Sequence, residues 1–440
     1  PPWRTTPRRE KVRVQPVRQA DPSEARQTVT PRISSERLRQ TLGEINGFGH
    51  DPATGGYDRP AFGAADMACR ARVAEIMRDC RLDVRTDAVG NTFGRFGPAD
   101  GPAILIGSHT DTVPQGGAFD GALGVAAALE CVRAMQDAGI SPRRAVEVVN
   151  TVDEEGRFGG MLGSQAMAGI VGADWVAQAR DPSGTRLADA MAAHGLDPNA
   201  ADAARLAPGH AAAFLELHIE QGPVLERACV PVGLVTTVSG CCVLQITLTG
   251  QANHSGTTPM HLRADAFAGL AQAAAAIPDI VASRGTDQSR LTIGHVALEP
   301  DEVHTIPGRA DFSLVLRDTD ETVMRRLRDG FESALRAAAE DHGLAVAIEA
   351  RSWLPPVDLD PDLRAAMVEG AAASGHAVLE MPSGAGHDAQ TMQAVCPSAL
   401  VFVPSRGGIS HAPGEHTDWP ACVAGAEVLL TTLMRLASAR

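Results

Sequence analysis

Residues 107–124 constrain the fold of this chain more than any other segment. They follow an apolar run at residues 103–106 and read GSHTDTVPQGGAFDGALG. The glycines and Pro114 exclude a continuous helix or the interior of a strand. We therefore predict a buried strand that ends in a loop. That loop carries two candidate metal ligands, His109 and Asp120, eleven residues apart.

Short runs rich in β-branched residues alternate with helical patterns in the first half of the chain. Apolar runs at 103–106 and 145–149 flank a segment rich in Ala, Val and Leu at 124–138. A strand, a helix and a strand of these lengths are typical of βαβ units in a buried, largely parallel sheet. We predict an α/β catalytic domain with a mainly parallel mixed sheet flanked by helices.

The pattern changes near residue 229. Strand and helix patterns follow in the order βαββαβ, at 243–248, 264–276, 291–296, 310–316, 321–342 and 345–350. This order is typical of a small, ferredoxin-like two-layer domain. We predict that the catalytic domain occupies residues 34–228 and 355–440, and that the βαββαβ domain is inserted at 229–354.

The charge of the chain is distributed unevenly. The formal net charge is −14, which argues against nucleic acid as a general partner. Residues 1–33, in contrast, hold eight Arg or Lys, three Asp or Glu and few large apolar residues. We predict that this basic segment is a disordered tail. A targeting peptide or an arm that binds an anionic surface is the alternative interpretation.

Cysteine usage and hydropathy bear on the compartment. The eight cysteines form no C-x-x-C pair and show no repeated spacing. In a chain of this length they are typical of reduced, mostly buried thiols, which predicts a cytoplasmic protein. We expect no membrane span, because the sequence lacks a run of about 18 consecutive apolar residues.

Five candidate metal ligands are spread along the chain. Three offer imidazole nitrogens and two offer carboxylate oxygens: His109, His218, His411, Asp120 and Glu155. Mixed nitrogen and oxygen donors suit Zn²⁺, Mn²⁺, Co²⁺ or Ni²⁺ and disfavour Ca²⁺. Because a catalytic zinc usually keeps about three protein ligands, we predict two divalent ions roughly 3.5–4 Å apart, with Asp120 as the bridge.

Two further acidic positions complete this hypothesis. Asp111 lies two residues after His109 and is a candidate hydrogen-bond acceptor that holds its ring. Glu154 and Glu155 follow a strand pattern, and neighbouring side chains on an extended backbone point apart. We expect one of the two to bind metal and the other to act as general base on water. A solvated acidic pair is the structural alternative. A phosphate-binding loop is disfavoured, because no GxGxxG or GxxxxGK[ST] motif is present.

Seven strings together resemble the M20 metallopeptidase-like family across nearly all of residues 34–436. They begin at residues 107, 117, 153, 217, 254, 383 and 407 and read GSHTDTV, GAFDGALGV, DEEGRF, LHIEQGP, HSGTTPM, SGAGHDA and GGISH. The resemblance is to the amidohydrolase and carbamoylase branch, which includes N-carbamoyl-L-amino-acid hydrolases, allantoate amidohydrolases and bacterial-type β-ureidopropionases.

The resemblance implies how the candidate metal site is divided. One ion would be held by His109, Asp120 and His218, and the other by Asp120, Glu155 and His411. Glu154 would then be the general base. It also implies that the inserted domain is a lid and dimerisation domain.

Substrate contacts are implied in the same way. His254 would reach the active site of the partner subunit in a homodimer and polarise the scissile carbonyl. Gln221 and Gly386 would contact the substrate, and Arg317 would bind its carboxylate. His304 stands where the family usually has Asn, which predicts an altered substrate preference.

We therefore predict a dimetal amidohydrolase that cleaves a linear amide or ureido C–N bond of a small carboxylate-bearing molecule. An N-carbamoyl-L-amino acid would yield the amino acid, CO₂ and ammonia. Allantoate or β-ureidopropionate hydrolysis, and an aminoacylase or dipeptidase activity, are the alternatives. A catalytically silent metal-binding or scaffold protein would require a lost ligand or base, whereas all six positions are intact.

Overall fold

A computed structural model of the chain describes residues 31–438. Residues 1–30 of the predicted tail lie outside the described residues. The described chain divides into two compact units. The first comprises residues 31–236, Leu359–Met381 and 387–438, and the second comprises Thr237–Asp358 and Pro382–Gly386.

The helices and strands are numbered in chain order. The helices are α1 (Ser35–Ile45), α2 (Ala64–Asp79), α3 (Ala122–Asp137), α4 (Leu162–Ala168), α5 (Ala173–Gln178), α6 (Leu187–Ala193), α7 (Val224–Ala228), α8 (Ala266–Ala275), α9 (Ile277–Arg284), α10 (Glu321–Asp341), α11 (Pro361–Ser374), α12 (Asp388–Met392) and α13 (Trp419–Ser438). The strands are β1 (Asp83–Thr86), β2 (Thr92–Phe96), β3 (Ala103–His109), β4 (Ala145–Thr151), β5 (Ala211–Ile219), β6 (Val232–Val238), β7 (Gly240–Thr249), β8 (Asn253–His254), β9 (Arg290–Glu299), β10 (Thr305–Ile306), β11 (Arg309–Asp318), β12 (Ala345–Leu354), β13 (Val357–Asp358), β14 (Val378–Ser383) and β15 (Ser398–Val403).

The first unit is built on a mixed sheet with strand order β1-β2-β4-β3-β5-β15-β6. The four central strands, β4, β3, β5 and β15, pair in parallel, whereas β1, β2 and β6 pair antiparallel at the two sides. Every residue of β3, β4 and β15 is buried. The predicted fold class, a mainly parallel mixed sheet flanked by helices, is confirmed.

Strand β5 is not predicted from the sequence, although it lies in the middle of this sheet. Its apolar pattern is interrupted by Glu216, and a buried charge disfavours a strand prediction. Glu216 is fully buried and accepts hydrogen bonds from the Ser108 hydroxyl at 2.7 Å and from the Ala389 N–H at 2.9 Å. A charged residue is tolerated in this strand because neighbouring elements supply its hydrogen-bond donors.

Two helical stretches of the described chain, Ala266–Arg284 and Trp419–Ser438, are long and apolar enough to cross a membrane by length and composition. This is weak evidence, because the core helices of globular proteins pass the same test. In Trp419–Ser438, 61% of the apolar window is buried. Its buried residues, among them Leu429 and Leu433, belong to the core of the first unit.

The second unit is a four-stranded antiparallel sheet with strand order β12-β7-β11-β9. Residues of β7 and β11 alternate between buried and partly exposed, which gives the sheet one apolar face. Helices α8 and α10 cover that face with buried residues such as Leu270, Leu327 and Phe331. The elements follow the βαββαβ order that the sequence predicts.

The boundaries of the second unit differ from the predicted 229–354. Residues 232–236 belong to the first unit, because Gly233 and Leu234 of β6 pair with Phe402 and Val401 of β15. The second unit also includes the separate segment Pro382–Gly386. The paired residues are 167 and 169 positions apart in the sequence, so this pairing leaves no local signal from which the boundary could be predicted.

Strand β4 contains a buried carboxylate, that of Glu147, from which we predict that acid lowers the stability of the first unit. Glu147 lies 2.8 Å from both the His210 imidazole and the Arg95 guanidinium. Burial opposes its ionisation, but hydrogen bonds from His210 and Arg95 lower the pKa of Glu147 from 4.5 to about 2. A lowered pKa contributes stability that is present above pH 4.5 and lost as the pH falls toward 2, here about 3 kcal/mol.

We expect the free energy of unfolding of the wild-type chain to fall more steeply between pH 5 and pH 2 than that of Glu147→Gln. Urea denaturation at a series of pH values measures this difference. The control is Glu75→Gln, which changes an exposed carboxylate that pairs with Arg72. Equal slopes for Glu147→Gln and the wild type would contradict the prediction.

Candidate functional site

The predicted ligands of the first unit lie at one edge of its sheet. His109 ends β3, His218 is the penultimate residue of β5, and Glu154 and Glu155 follow β4. His411 lies in the segment after β15. Because these four strands are parallel, their carboxyl ends meet at the same edge, where ligands commonly bind in open α/β sheets.

The first group of candidate ligands is His109, Asp120 and His218, all of them buried. Asp120 Oδ1 lies 3.1 Å from His218 Nε2 and 3.5 Å from His109 Nε2. His109 Nδ1 lies 3.1 Å from the Asp111 backbone oxygen, and His218 Nδ1 lies 2.8 Å from the Ile219 backbone oxygen. With the proton on Nδ1, each imidazole presents the lone pair of Nε2 to the site.

The second group is Asp120, Glu155 and His411. His411 Nε2 lies 3.2 Å from Glu155 Oε2 and 3.6 Å from Asp120 Oδ2. This group is more open than the first, because 46% of the His411 side chain is exposed. Asp120 therefore faces both groups, with Oδ1 toward the first and Oδ2 toward the second.

Glu154 and Glu155 point to different parts of the site. Glu154 Oε2 lies 3.5 Å from His109 Nε2, whereas Glu155 is beside His411. Burial raises the pKa of Glu154 well above its usual range, although the positive field of His109 opposes the shift. A carboxylate with a raised pKa is a stronger base toward a neighbouring water molecule than an exposed carboxylate is.

The carboxylates make the site favourable for positive charge. Burial alone would lower the pKa of each imidazole. The Glu154 carboxylate and its neighbours nevertheless raise the pKa of His109 well above its usual value, and Asp120 raises the pKa of His218 to about 9. Burial would raise the pKa of Asp120, but His218 and His109 hold it well below its usual range. The same field would attract a cation.

The residues fit divalent metal ions. His109 Nε2 is buried and has no hydrogen-bond partner among the described residues, and the carboxylate oxygens nearest to it, those of Asp120 and Glu154, are each 3.5 Å away. Such an orphaned buried nitrogen is costly unless another group satisfies it. Three imidazoles and two carboxylates form the donor set, which suits a divalent transition metal.

Gly121 explains how Asp120 and His109 can lie so close together. Gly121 has φ +59°, and a Cβ at this position would lie 2.4–2.5 Å from three atoms of the His109 ring. Only a residue without a side chain satisfies both conditions. The Gly121 N–H also lies 3.2 Å from His218 Nε2. This glycine therefore sets the spacing within the first group.

The position of Asp111 corrects one detail of the sequence analysis. Its carboxylate is not the hydrogen-bond acceptor of His109, because Oδ1 is 3.8 Å from His109 Nδ1 and the backbone oxygen of Asp111 is nearer. Asp111 Oδ2 instead accepts from the Glu155 N–H at 3.2 Å. Oδ1 faces the buried Arg70 guanidinium at 3.6 Å. The carboxylate thus holds the Glu155 backbone rather than the imidazole.

Gln221 contacts two members of the second group, Asp120 and His411. Its side-chain Nε2 donates to Asp120 Oδ2 at 2.7 Å and lies 3.2 Å from His411 Nε2. Its Oε1 is buried and has no partner among the described residues. Gln221 and His411 both have positive φ, +59° and +55°, so their backbones are held in an unfavourable conformation.

Four predicted substrate-contact residues belong to the second unit. They are His254, His304, Arg317 and Gly386. His254 in β8 pairs with Thr305 in β10. The residue before Thr305 is His304, whose backbone oxygen accepts hydrogen bonds from the N–H and the hydroxyl of Ser255. The exposed His254 ring accepts from the Gly256 N–H at Nδ1, so its Nε2 carries the proton. Separately, the Arg317 guanidinium donates to the Gly384 backbone oxygen at 2.9 Å, in the segment that also contains Gly386.

Two buried polar residues around the site, Glu415 and Asp388, have no role predicted from the sequence. Glu415 accepts from the N–H groups of Phe119 and Asp120, and Asp388 accepts from the Thr151 hydroxyl. The sequence carries a signal for both: Glu415 lies four residues after His411, and Asp388 is the penultimate residue of the string SGAGHDA. Neither offers an obvious ligand spacing, so the pattern alone assigned them no role.

Comparisons with known proteins show the family of the chain and its relatives. Residues 105–435 match the family described as peptidase family M20/M25/M40. The chain is 38% identical over 410 residues to an N-carbamoyl-L-amino acid amidohydrolase of Geobacillus stearothermophilus, covering 92% of this chain and 99% of that protein. It is 35% identical over 391 residues to an allantoate amidohydrolase of Bacillus subtilis strain 168, covering 88% and 94%.

A solved structure is similar over the same extent. The chain matches the crystal structure of an amidase of the hydantoinase/carbamoylase family from Burkholderia multivorans with a TM-score of 0.85 and 33% sequence identity. The match covers 93% of this chain and 99% of the solved chain. The likeness therefore extends over both units.

Substitution of Gly121 tests the packing of the first group. We expect Gly121→Ala to lower the free energy of unfolding by more than the ~1–2 kcal/mol that a left-handed alanine costs, and to weaken Mn²⁺ binding through displacement of His109. Gly139→Ala is the matched control, since Gly139 has φ +64° and no heavy atom within 4 Å of its Cβ position. Calorimetric titration with Mn²⁺ and urea denaturation measure the two effects. The prediction fails if both variants behave alike.

Proposed function

Because the chain belongs to peptidase family M20/M25/M40, we propose that it is a metal-dependent amidohydrolase that cleaves the linear ureido C–N bond of an N-carbamoyl-L-amino acid. The family resemblance inferred from the sequence is confirmed. One observation carries the proposal: a largely buried carboxylate, Glu154, lies beside His109, which belongs to the first of two candidate ligand groups that share Asp120.

Two divalent ions are part of the proposal. His109, Asp120 and His218 would hold one, and Asp120, Glu155 and His411 would hold the other. Ions at these positions, Zn²⁺, Mn²⁺, Co²⁺ or Ni²⁺, would supply Lewis acidity toward water and the substrate carbonyl. The donor set of three imidazoles and two carboxylates, too many for one catalytic ion, supports this number.

Glu154 is the proposed general base. Its Oε2 takes a proton from the attacking water and returns it to the leaving nitrogen, so that the amine departs uncharged. Its burial supports this role, because a desolvated carboxylate with a raised pKa holds the proton between the two steps. Carbamate would then decompose to CO₂ and ammonia, leaving the free amino acid.

The second unit would contribute substrate recognition. A guanidinium such as that of Arg317 binds a carboxylate through two parallel hydrogen bonds, which supports its proposed contact with the amino-acid end. Gln221 and Gly386 would contact the remainder of the substrate. The imidazole of His304 is larger than the Asn side chain that the family usually has at this position, and an imidazole can carry a positive charge. His304 would therefore shift the preference among substrates.

Allantoate hydrolysis is the second candidate function. The 35% identity to the Bacillus subtilis allantoate amidohydrolase favours it nearly as much as the 38% identity favours carbamoyl-amino-acid hydrolysis. Both substrates present a ureido group and a carboxylate, so the same base and the same guanidinium serve either one. β-Ureidopropionate shares these features, and an aminoacylase or dipeptidase activity would need only the amide.

Cytoplasmic location belongs to the same proposal. All eight cysteines are free, and six of them are buried. Free thiols persist where glutathione and thioredoxin keep them reduced, which supports this location.

Ammonia release by the Mn²⁺-loaded enzyme tests the proposed activity. The substrates are N-carbamoyl-L-amino acids, β-ureidopropionate and allantoate, and cleavage of N-acetyl amino acids and dipeptides is followed by amine release. We expect chelator-sensitive turnover of an N-carbamoyl-L-amino acid, and a loss of about 10²–10⁴ in kcat for Glu154→Gln with Mn²⁺ binding retained. Turnover of the acetyl or peptide compounds alone would assign an acylase or peptidase instead.

A homodimer in which His254 serves the partner's site is also proposed. The exposed position of His254, with the proton on Nε2, supports a role as a donor to a carbonyl outside its own segment. We expect Glu154→Ala and His254→Ala homodimers to be inactive, and their mixture to regain up to about a quarter of wild-type activity after subunit exchange. A mixture that stays inactive although heterodimers form would count against the shared site.

A further inference from the structure

We propose that Glu415 is a positioning residue that ties the loop carrying His411 to the backbone of Asp120, and so assembles the second ligand group. This loop comprises residues 404–414 and is called the His411 loop. This inference rests on the proposed metal-dependent function, because the group in question is the Asp120, Glu155 and His411 set.

The contacts of the Glu415 carboxylate join two separate segments. Its Oε1 accepts from the N–H of Phe119 at 2.8 Å and from the N–H of Asp120 at 3.0 Å. Its Oε2 lies 2.9 Å from the Ser410 hydroxyl, and that hydroxyl lies equally 2.9 Å from Asp120 Oδ2. One carboxylate therefore holds the backbone of Asp120 and also contacts Ser410, which directly precedes His411.

The His411 loop needs such an anchor. His411 is exposed and has φ +55°, and Gly407 and Gly408 also have positive φ. His411 follows a short 3₁₀ helix, Arg406–Gly408, and lies in neither a strand nor an α-helix. In contrast, His109 and His218 are held by buried strands and by their own Nδ1 hydrogen bonds.

The turn before Asp120 is shaped around the Glu415 side chain. A Cβ on Gly117 would lie 2.1 Å from both Cδ and Oε1 of Glu415, so only glycine leaves space for this carboxylate. Glu415 is itself buried, at 5% exposure. Truncation to Ala would leave the N–H groups of Phe119 and Asp120 without their acceptor, which is costly in a buried position.

These contacts predict an asymmetric effect on the two ligand groups. Removal of the Glu415 carboxylate takes away one of the two carboxylates beside the Ser410 hydroxyl and so loosens the position of His411. It leaves the strands that carry His109 and His218 in place. The second group should therefore lose affinity for a divalent ion while the first group keeps most of its own. Changes to residues that orient ligands typically cost about 10–100-fold in metal affinity.

The experiment is a calorimetric Mn²⁺ titration of the metal-stripped full-length chain, with bound manganese counted by mass spectrometry. The variants are Glu415→Ala, Glu415→Gln and Ser410→Ala. Gln keeps an oxygen for the two N–H groups and an amide that reaches Ser410. Asp87→Ala is the matched control, since Asp87 is a carboxylate that accepts three backbone N–H bonds in a turn of the first unit, from Val89, Gly90 and Asn91.

We expect the wild type and Asp87→Ala to bind two ions. Glu415→Ala should keep one tight ion and bind the second at least about tenfold more weakly, Ser410→Ala should show the same direction, and Glu415→Gln should regain most of the affinity. Unchanged binding of both ions by Glu415→Ala, or equal weakening of both, would overturn the proposal.

Hydrogen exchange of the metal-stripped chain separates this proposal from the dimetal function. We expect faster amide exchange in peptides covering residues 404–416 and at Asp120 in Glu415→Ala than in the wild type, and near-normal exchange in Glu415→Gln. If the wild type binds fewer than two ions but this exchange pattern holds, the dimetal proposal fails and the positioning role stands. Unchanged exchange in Glu415→Ala would overturn the positioning role whatever the ion count.

Discussion

The structure of the site depends on one carboxylate, that of Asp120, which faces two groups of donors at once. Oδ1 is directed toward His109 and His218, and Oδ2 toward His411 and Gln221. A shared side chain leaves little freedom for the backbone that carries it, because a small rotation would improve one group at the expense of the other. The left-handed Gly121 that follows Asp120 meets this demand.

The negative charge of the site is compatible with burial because the surrounding groups are arranged to compensate it. The Nδ1–H group of each buried imidazole, His109 and His218, donates a hydrogen bond to a backbone oxygen, which directs Nε2 toward the carboxylates. Arg70 donates to Asp66 at 2.9 Å and faces Asp111, so that two further buried carboxylates are paired. The unpaired carboxylates of the site therefore favour positive charge beside them, either on the imidazoles or on a bound cation.

Much of the fold and of the candidate site followed from local sequence. Apolar runs predicted β3 and β4, the βαββαβ order predicted the second unit, and His109, Asp120 and Glu155 stood out because they follow strand patterns. These features are local, since the alternation of side chains and the turn preferences of glycine act over a few residues. Glu415 and strand β5 escaped prediction, because a buried carboxylate resembles a surface residue until its donors are known.

The sequence by itself determined which donors exist, that Gly121 could adopt a left-handed turn, and that the chain alternates between strand and helix. Only the tertiary structure decided that His411, 302 residues after His109, meets Asp120, that a backbone oxygen rather than the Asp111 carboxylate orients His109, and that Glu415 holds the backbone of Asp120. The physical reason is that these contacts join residues far apart in the chain. Their geometry is set by strand order and loop packing, which no short window of sequence encodes.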